Sequence, residues 1–181
     1  MKNISKILSI LTLVLLITSC KNDKSLQSYL VETSTKEGFM TGDLPVSSVI
    51  TAKADVSNDV KETIKSIKKI NVVYLPKTAE NEAQYLSEKT TLQNIFKDNK
   101  EYKNLMSMKA KEMNVKIYYS GDTDSIDEVI AFGFSDQQGV GVARLLGENM
   151  NPAKIIETIK GMDFNENSPS LKQFSKMFKK N

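Results

Sequence analysis

The chain has 181 residues, with 25 Lys and Arg against 22 Asp and Glu, one Cys, no His and no Trp. The lack of His excludes a Ser-His-Asp triad, a Cys-His pair and any imidazole metal ligand. A single Cys excludes an intrachain disulfide and a thiolate zinc site. The nearly balanced charge lacks the basic excess that is typical of nucleic-acid-binding proteins, so we expect no nucleic-acid partner.

The first residues have the features of a bacterial lipoprotein signal peptide. Lys2 and Lys6 form a positive segment, and the mainly apolar run Ile7–Ile17, 11 residues long, is too short to span a bilayer as a helix. The run ends in Ile17-Thr18-Ser19-Cys20, which resembles the lipobox of such lipoproteins. The resemblance implies removal of residues 1–19, transfer of diacylglycerol to the Cys20 thiol, and N-acylation of the new terminus.

Cys20 is thus predicted to be a lipid anchor, since two or three acyl chains hold a protein firmly in a membrane. The alternative is an ordinary signal peptide, or a buried apolar helix, with a chance Cys. Residue 21 is Lys and not the Asp that retains well-studied lipoproteins in the inner membrane, so we expect the outer membrane. Whether the anchor lies in the periplasmic or the surface leaflet is left open.

The first half of the mature chain predicts helices and strands in turn. Residues 20–37 form the lipidated Cys, a short tether and a helix that Ser25 caps and Gly38 ends. Further helices are expected over about 58–69 and 78–98, and strands at Phe39–Leu44 and Ile70–Leu75. The segment Val46–Ala52 is ambiguous.

Four runs of alternating apolar residues follow, and each is typical of a half-buried strand. They are Met106–Ala110, Val115–Tyr119, Ile130–Phe134 and Val140–Leu146. Turn-forming residues between them favour an antiparallel four-strand meander. The order of elements predicts an α+β fold: a mainly antiparallel sheet with helices packed on one face, in a single domain over residues 38–163.

Two helices are predicted after the meander. Asn151-Pro152 opens the first, which Gly161 ends. Ser168-Pro169 opens a basic amphipathic helix within residues 164–181. This last helix either contacts a membrane or a partner, or packs on its own domain as most amphipathic helices do.

An acidic cluster precedes the third strand of the meander: Asp122, Asp124, Asp127 and Glu128. A calcium loop needs Gly at its sixth position, where this sequence has Asp127, so a solvated hairpin turn is the better interpretation. We expect no metal ion and no cofactor. Asp124-Ser125-Ile126 resembles the O-glycosylation motif of Bacteroidetes-type bacteria, which makes Ser125 a candidate for glycosylation.

Three further patterns have simpler explanations than a catalytic site. Gly139-Val140-Gly141 lacks the third glycine of a nucleotide loop and opens a strand, which favours a turn glycine followed by a strand glycine. Arg144, inside an apolar strand, either binds an anion, extends its head group to solvent at the sheet edge, or pairs with an acid such as Glu148. The Ser-x-Lys spacings, such as Ser66-Ile67-Lys68, do not bring serine and lysine together on a helix.

Much of the mature chain resembles a known family. The segments Tyr102–Lys109, Val115–Tyr119, Ile126–Ile130 and Val142–Gly147, with Lys69–Val73 and Gly38-Phe39 before them, are similar to the domain-of-unknown-function 4252 family of small Bacteroidetes-type lipoproteins. The resemblance implies an envelope lipoprotein with an α+β domain. It assigns no activity and no site residue, and the frequent presence of such genes near extracytoplasmic-function sigma factors suggests envelope stress or signalling.

These patterns together predict a non-catalytic binding or envelope-maintenance module, anchored in the outer membrane through Cys20, with an envelope protein as the expected partner. Its binding surface would be the solvent face of the meander or a groove beside the C-terminal helix. We do not expect an enzyme. Two alternatives stay open: a carboxylate-based hydrolase that uses the acidic cluster, and a periplasmic carrier of a small apolar ligand.

Overall fold

Helices and strands alternate along the part of the chain that the computed structural model describes, which is residues 25–110, 112–122, 125–150, 154–164 and 172. The elements are α1 Leu26–Thr33, β1 Met40–Pro45, α2 Val46–Val49, β2 Ile50–Ala52, α3 Asn58–Ser66, β3 Ile67–Pro76, α4 Glu82–Phe96, β4 Lys103–Ala110, β5 Met113–Gly121, β6 Ile126–Ser135, β7 Gly139–Met150, α5 Ile155–Gly161 and β8 Met162–Phe164. The helix predicted within 164–181 lies outside the described residues, except for Lys172, which is helical.

The main sheet of the described chain has six strands in the order β1-β3-β7-β6-β5-β4. Every neighbouring pair is antiparallel. Strands β4 to β7 are consecutive neighbours, which confirms the predicted meander, and the α+β class is confirmed with it. The short strands β2 and β8 pair separately, with Ile50 opposite Phe164.

Side chains alternate between the two faces of the sheet along each strand. Apolar residues occupy both sets of positions, so both faces are apolar. Val73 and Leu75 of β3 point to the first face, where α1 and α4 pack, and Ile70 points to the second face, where α3 packs. The order of elements along the sequence predicts helices on one face only. The correction has a simple reason: the apolar side of α3 needs a partner, and the first face is already covered.

Local hydrogen bonds set the helix ends. Ser25 Oγ accepts from the backbone N–H of Ser28 at 3.1 Å, so the predicted cap of α1 is confirmed. Helix α3 ends at Ser66, earlier than expected, because the next residue, Ile67, already belongs to β3 and pairs with Gly147 of β7. Helix α4 begins at Glu82 and not at Thr78, since the backbone N–H of Thr78 donates to Asn81 Oδ1 at 2.8 Å in a turn before the helix.

Helix α1 belongs to the core of the domain. Leu26 is 0% exposed and Tyr29 is 2% exposed, and both belong to the same buried cluster as Leu75 of the central sheet. The sequence pattern places this helix with the tether in residues 20–37, before a domain that begins at residue 38. Since α1 is buried against the sheet, the chain between Cys20 and the folded core is shorter than that boundary implies.

Aromatic rings fill the first face beneath α4. The ring of Phe96 stacks on that of Tyr118 at 4.4 Å between centroids, and Tyr102 and Phe132 lie at 5.4 and 5.8 Å from it. Such ring pairs contribute about 0.5–1.5 kcal/mol each beyond the area they bury. The rings therefore hold the end of α4 and the residue just before β4 against strands β5 and β6.

Candidate functional site

The residues that the sequence singled out do not form one site. Cys20 and Asp124 lie outside the described residues. Ser125 is half-buried just before β6, where its backbone N–H donates to the carbonyl oxygen of Asp122 at 3.3 Å. Its candidacy as a glycosylation site stays a prediction.

The acidic cluster is split by the sheet. Asp122 and Asp127 are exposed, whereas Glu128 is 6% exposed and points to the first face. The expectation of a solvated turn is thus wrong for Glu128. Among the described residues, no group of three or more potential ligands is placed to hold a metal ion. The described members of the cluster line neither of the two grooves described below, so the geometry gives no support to a hydrolase built on them.

Arg144 pairs with Glu128 on the first face. Its Nε donates to Glu128 Oε1 at 2.7 Å and its Nη2 to Oε2 at 3.0 Å, so both carboxylate oxygens are bound. The Nη1 group donates to Gln27 Oε1 of α1 at 2.6 Å. The predicted pairing with an acid is confirmed, but the partner is wrong: Glu148 is exposed and pairs with Lys68. Neighbouring strands place Arg144 opposite Ile130, two residues from Glu128.

Tyr102 lies beside this ion pair. Burial, and then the Glu128 carboxylate, raises the pKa of Tyr102 to about 12. A buried phenol next to a carboxylate resists ionisation because a second negative charge would have no solvent to stabilise it. The Arg144, Glu128 and Tyr102 group therefore acts as a fixed polar part of the core.

The free energy of unfolding is expected to fall between about pH 10 and 12. An unfolded tyrosine ionises near pH 10, whereas folded Tyr102 keeps its proton up to about pH 12. The folded state binds more protons in this interval, so rising pH destabilises it. Urea unfolding at several pH values should show the decrease, and Tyr102→Phe should lose part of it. An unchanged pH dependence in Tyr102→Phe would assign the effect to other buried tyrosines such as Tyr85.

A second charged group ties α4 to the turn between β6 and β7. The hydroxyl of Tyr85 donates to Asp136 Oδ1 at 2.7 Å, and Lys89 Nζ donates to the same oxygen at 3.0 Å. The hydrogen bond from Tyr85, followed by that from Lys89, lowers the pKa of Asp136. Tyr85, Lys89 and Asp136 therefore hold α4 to the turn between β6 and β7.

The strongest candidate for a binding site is a groove on the second face, between β2 and α3. We call it the lysine-rimmed groove. It encloses about 500 Å³, within the range of about 300–1,000 Å³ that is common for ligand sites. Its lining consists of Val46, Ser47, Ile50, Thr51, Ala52, Lys53, Ala54, Lys61, Ile64, Lys65 and Ile67.

A second groove, which we call the α1 groove, lies between α1 and strands β1 and β3, with a volume of about 530 Å³. Its lining mixes charges of both signs, and these are already paired: Lys69 Nζ lies 2.8 Å from Asp43 Oδ2, and Arg144 is bound to Glu128. Lys69, followed by Asn71, lowers the pKa of Asp43. A groove whose charges satisfy one another offers less to a charged ligand.

The lysine-rimmed groove was not found from the sequence. Much of it comes from the ambiguous segment Val46–Ala52, and most of the rest from α3, which begins at Asn58 soon afterwards. A recognisable signal existed in α3, where Lys61 and Lys65 flank the apolar Ile64. That pattern alone is equally typical of any amphipathic helix.

Helices long and apolar enough to cross a membrane do not occur in the described part of the chain. Searches of curated proteins and of solved structures each gave no match. The family model described as "Domain of unknown function (DUF4252)" matches residues 32–158, from the end of α1 into α5. With most of its length matched by that model, the chain belongs to the DUF4252 family.

Proposed function

We propose that the protein is a lipid-anchored, non-catalytic binding module of the outer membrane in a Bacteroidetes-type bacterium, with a role in envelope maintenance or signalling. The observation that carries this proposal is the short distance along the chain between the lipobox cysteine and the core. Cys20 is followed within six residues by Leu26, which is 0% exposed. A fully extended chain of that length reaches about 20 Å at most, so an anchored Cys20 holds the domain against the bilayer.

The direction of α1 supports a defined orientation at the membrane. Gln27, near its start, contacts Arg144, which lies opposite Asn71 in the early half of β3. Beyond its other end, a β-carbon at Gly38 would lie 3.4 Å from Leu75, late in β3. The start of α1 therefore lies closer to the first half of β3 than its other end does. Ile67 of the lysine-rimmed groove is the first residue of β3, so the groove lies where β3 begins.

Cys20→Ser is expected to abolish lipidation and membrane attachment. Serine has no thiol to accept diacylglycerol, so the variant should lose incorporation of a labelled fatty acid and leave the outer-membrane fraction. Lys21→Asp is the matched control, because it keeps the cysteine and should stay labelled while moving towards the inner membrane. A wild-type protein that takes up no label would refute the anchor. If the wild-type protein does take up the label, crosslinking of the anchored protein, with Cys20→Ser in parallel, would identify an envelope partner.

A further inference from the structure

We propose that the lysine-rimmed groove binds a fatty acid, with the acyl chain on its apolar floor and the carboxylate at its lysines. This inference deepens the proposed binding function and rests on it for the biological setting. It does not rest on lipidation of Cys20. Its evidence is the combination of an apolar floor and a rim of single-sign charge.

The floor of the groove is made of aliphatic side chains that belong to the core of the second face. Val46, Ile50, Ile64 and Ile67 are 7%, 4%, 4% and 4% exposed, and each contributes to the groove lining. Because these side chains are fixed by packing, the groove exists without a ligand. An acyl chain laid on this floor loses apolar contact with water at every buried methylene.

The rim of the groove carries positive charge and no negative charge among its lining residues. Lys53, Lys61 and Lys65 surround the floor, with the hydroxyl-bearing Ser47 and Thr51 beside them. Lys65 Nζ lies 3.0 Å from Glu62 Oε1, but both side chains are about 70% exposed, at 71% and 72%. An exposed pair of this kind is weak, so Lys65 can turn towards a ligand carboxylate and make a stronger charge-assisted hydrogen bond.

The basic C-terminal segment is the competing occupant, since β8 ends at Phe164 opposite Ile50 and residues 165–181 continue from there. The sequence of this segment has an apolar stripe, but it also carries Lys172, Lys176, Lys179 and Lys180. Docking it would bring these lysines to a rim that already has three, and like charges repel. A fatty acid has an apolar chain as well, but its carboxylate carries the charge opposite to that of the lysines. The charges therefore favour the fatty acid over the C-terminal segment.

The position of the groove agrees with a membrane-derived ligand. It lies on the second face of the sheet where β3 begins, and the anchor proposed above would keep the whole domain within reach of the bilayer. Fatty acids are concentrated at such a surface because their chains partition into lipid. The groove could thus exchange its ligand with the membrane without release of the protein.

The test is calorimetric titration of residues 20–181 with Cys20→Ser, which removes the site of acylation. The probes are octanoate, decanoate and dodecanoate below their micelle concentrations, with dodecyltrimethylammonium as the cation of equal chain length. We expect the affinity to rise about fourfold for each added CH₂ that the groove buries, and the cation to bind at least tenfold more weakly than dodecanoate.

Two variants locate the site. Lys61→Glu with Lys65→Glu is expected to weaken dodecanoate binding at least tenfold, and Ala54→Trp to weaken it by filling the groove from its exposed edge. The matched control, Lys100→Glu with Lys109→Glu, reverses two exposed lysines elsewhere and should bind as the parent does. Circular dichroism and thermal unfolding confirm that each variant is folded.

The proposal is overturned if dodecanoate does not bind, if affinity is independent of chain length, or if the two lysine pairs behave alike. It is also overturned if binding appears only after residues 165–181 are removed, because the groove would then hold the chain's own segment. These outcomes are separate from the fate of the anchor. Cys20 can be lipidated while the groove stays empty, and the unlipidated chain can bind fatty acid.

Discussion

Replacement of Arg144 by Met is expected to lower the free energy of unfolding by about 3–5 kcal/mol. The substitution leaves the Glu128 carboxylate buried, at 7% side-chain exposure, without the guanidinium that binds both of its oxygens. It also frees Gln27, so α1 loses a hydrogen bond to the sheet. Urea unfolding followed by circular dichroism would measure the loss.

Lys68→Ala is the matched control for this prediction. Lys68 and Glu148 form an ion pair whose side chains are 59% and 66% exposed, and exposed pairs contribute about 0–1 kcal/mol. The double variant Arg144→Met with Glu128→Leu should recover much of the stability, since replacing a buried pair by apolar residues is often neutral. If Arg144→Met and Lys68→Ala lower the free energy of unfolding by the same amount, that result would contradict the buried pairing of Glu128 with Arg144.

Gly139→Ala is expected to destabilise the domain by several kcal/mol. Gly139 has φ +138° at the start of β7, and a β-carbon there would lie 2.2 Å from the carbonyl oxygen of Leu75 and 2.9 Å from Pro76 Cα. The backbone conformation alone costs a non-glycine residue about 1–3 kcal/mol. The overlap adds to this because it involves backbone in the neighbouring strand, which cannot move without breaking the pairing of β3 with β7.

Gly38→Ala separates the two contributions. Gly38 also has a positive φ, +84°, but the nearest atom to an added β-carbon is Leu75 Cδ1 at 3.4 Å, which is ordinary contact. This variant should therefore lose only the conformational part, about 1 kcal/mol. Thermal unfolding of both variants gives the comparison. Equal losses would show that β3 and β7 approach less closely at Gly139 than described.

Local patterns were enough to predict most elements of the fold. The alternating runs from Met106 to Leu146 correspond to β4–β7, and the turn-and-strand interpretation of Gly139 and Gly141 agrees with the structure. Strand alternation and turn residues are properties of a few neighbouring positions, so they can be found in a single sequence. The α+β class followed from the order of these elements.

Contacts between distant segments could not be predicted in the same way. The sequence offered Glu148 as the nearest acid to Arg144, whereas the register of β6 with β7 selects Glu128. The lysine-rimmed groove depends on how β2 lies against α3, and although these two elements are close along the chain, the residue pattern of neither one specifies that packing. Helix α1 has the apolar spacing of a packed helix. Its local sequence does not show whether the helix packs on the sheet or belongs to the tether outside the domain.

The strand order also determines when the sheet can form. Strand β3 pairs only with β1 and β7, and Pro76 meets Gly139 across a long stretch of intervening chain. The meander closes through short hairpins and β1 can pair with β3, whereas β3 finds its central neighbour only once β7 has been made. Contacts between such distant residues form slowly, because a large loop must close first. A chain synthesised N-terminus first therefore completes its six-stranded sheet only after β7 has been made.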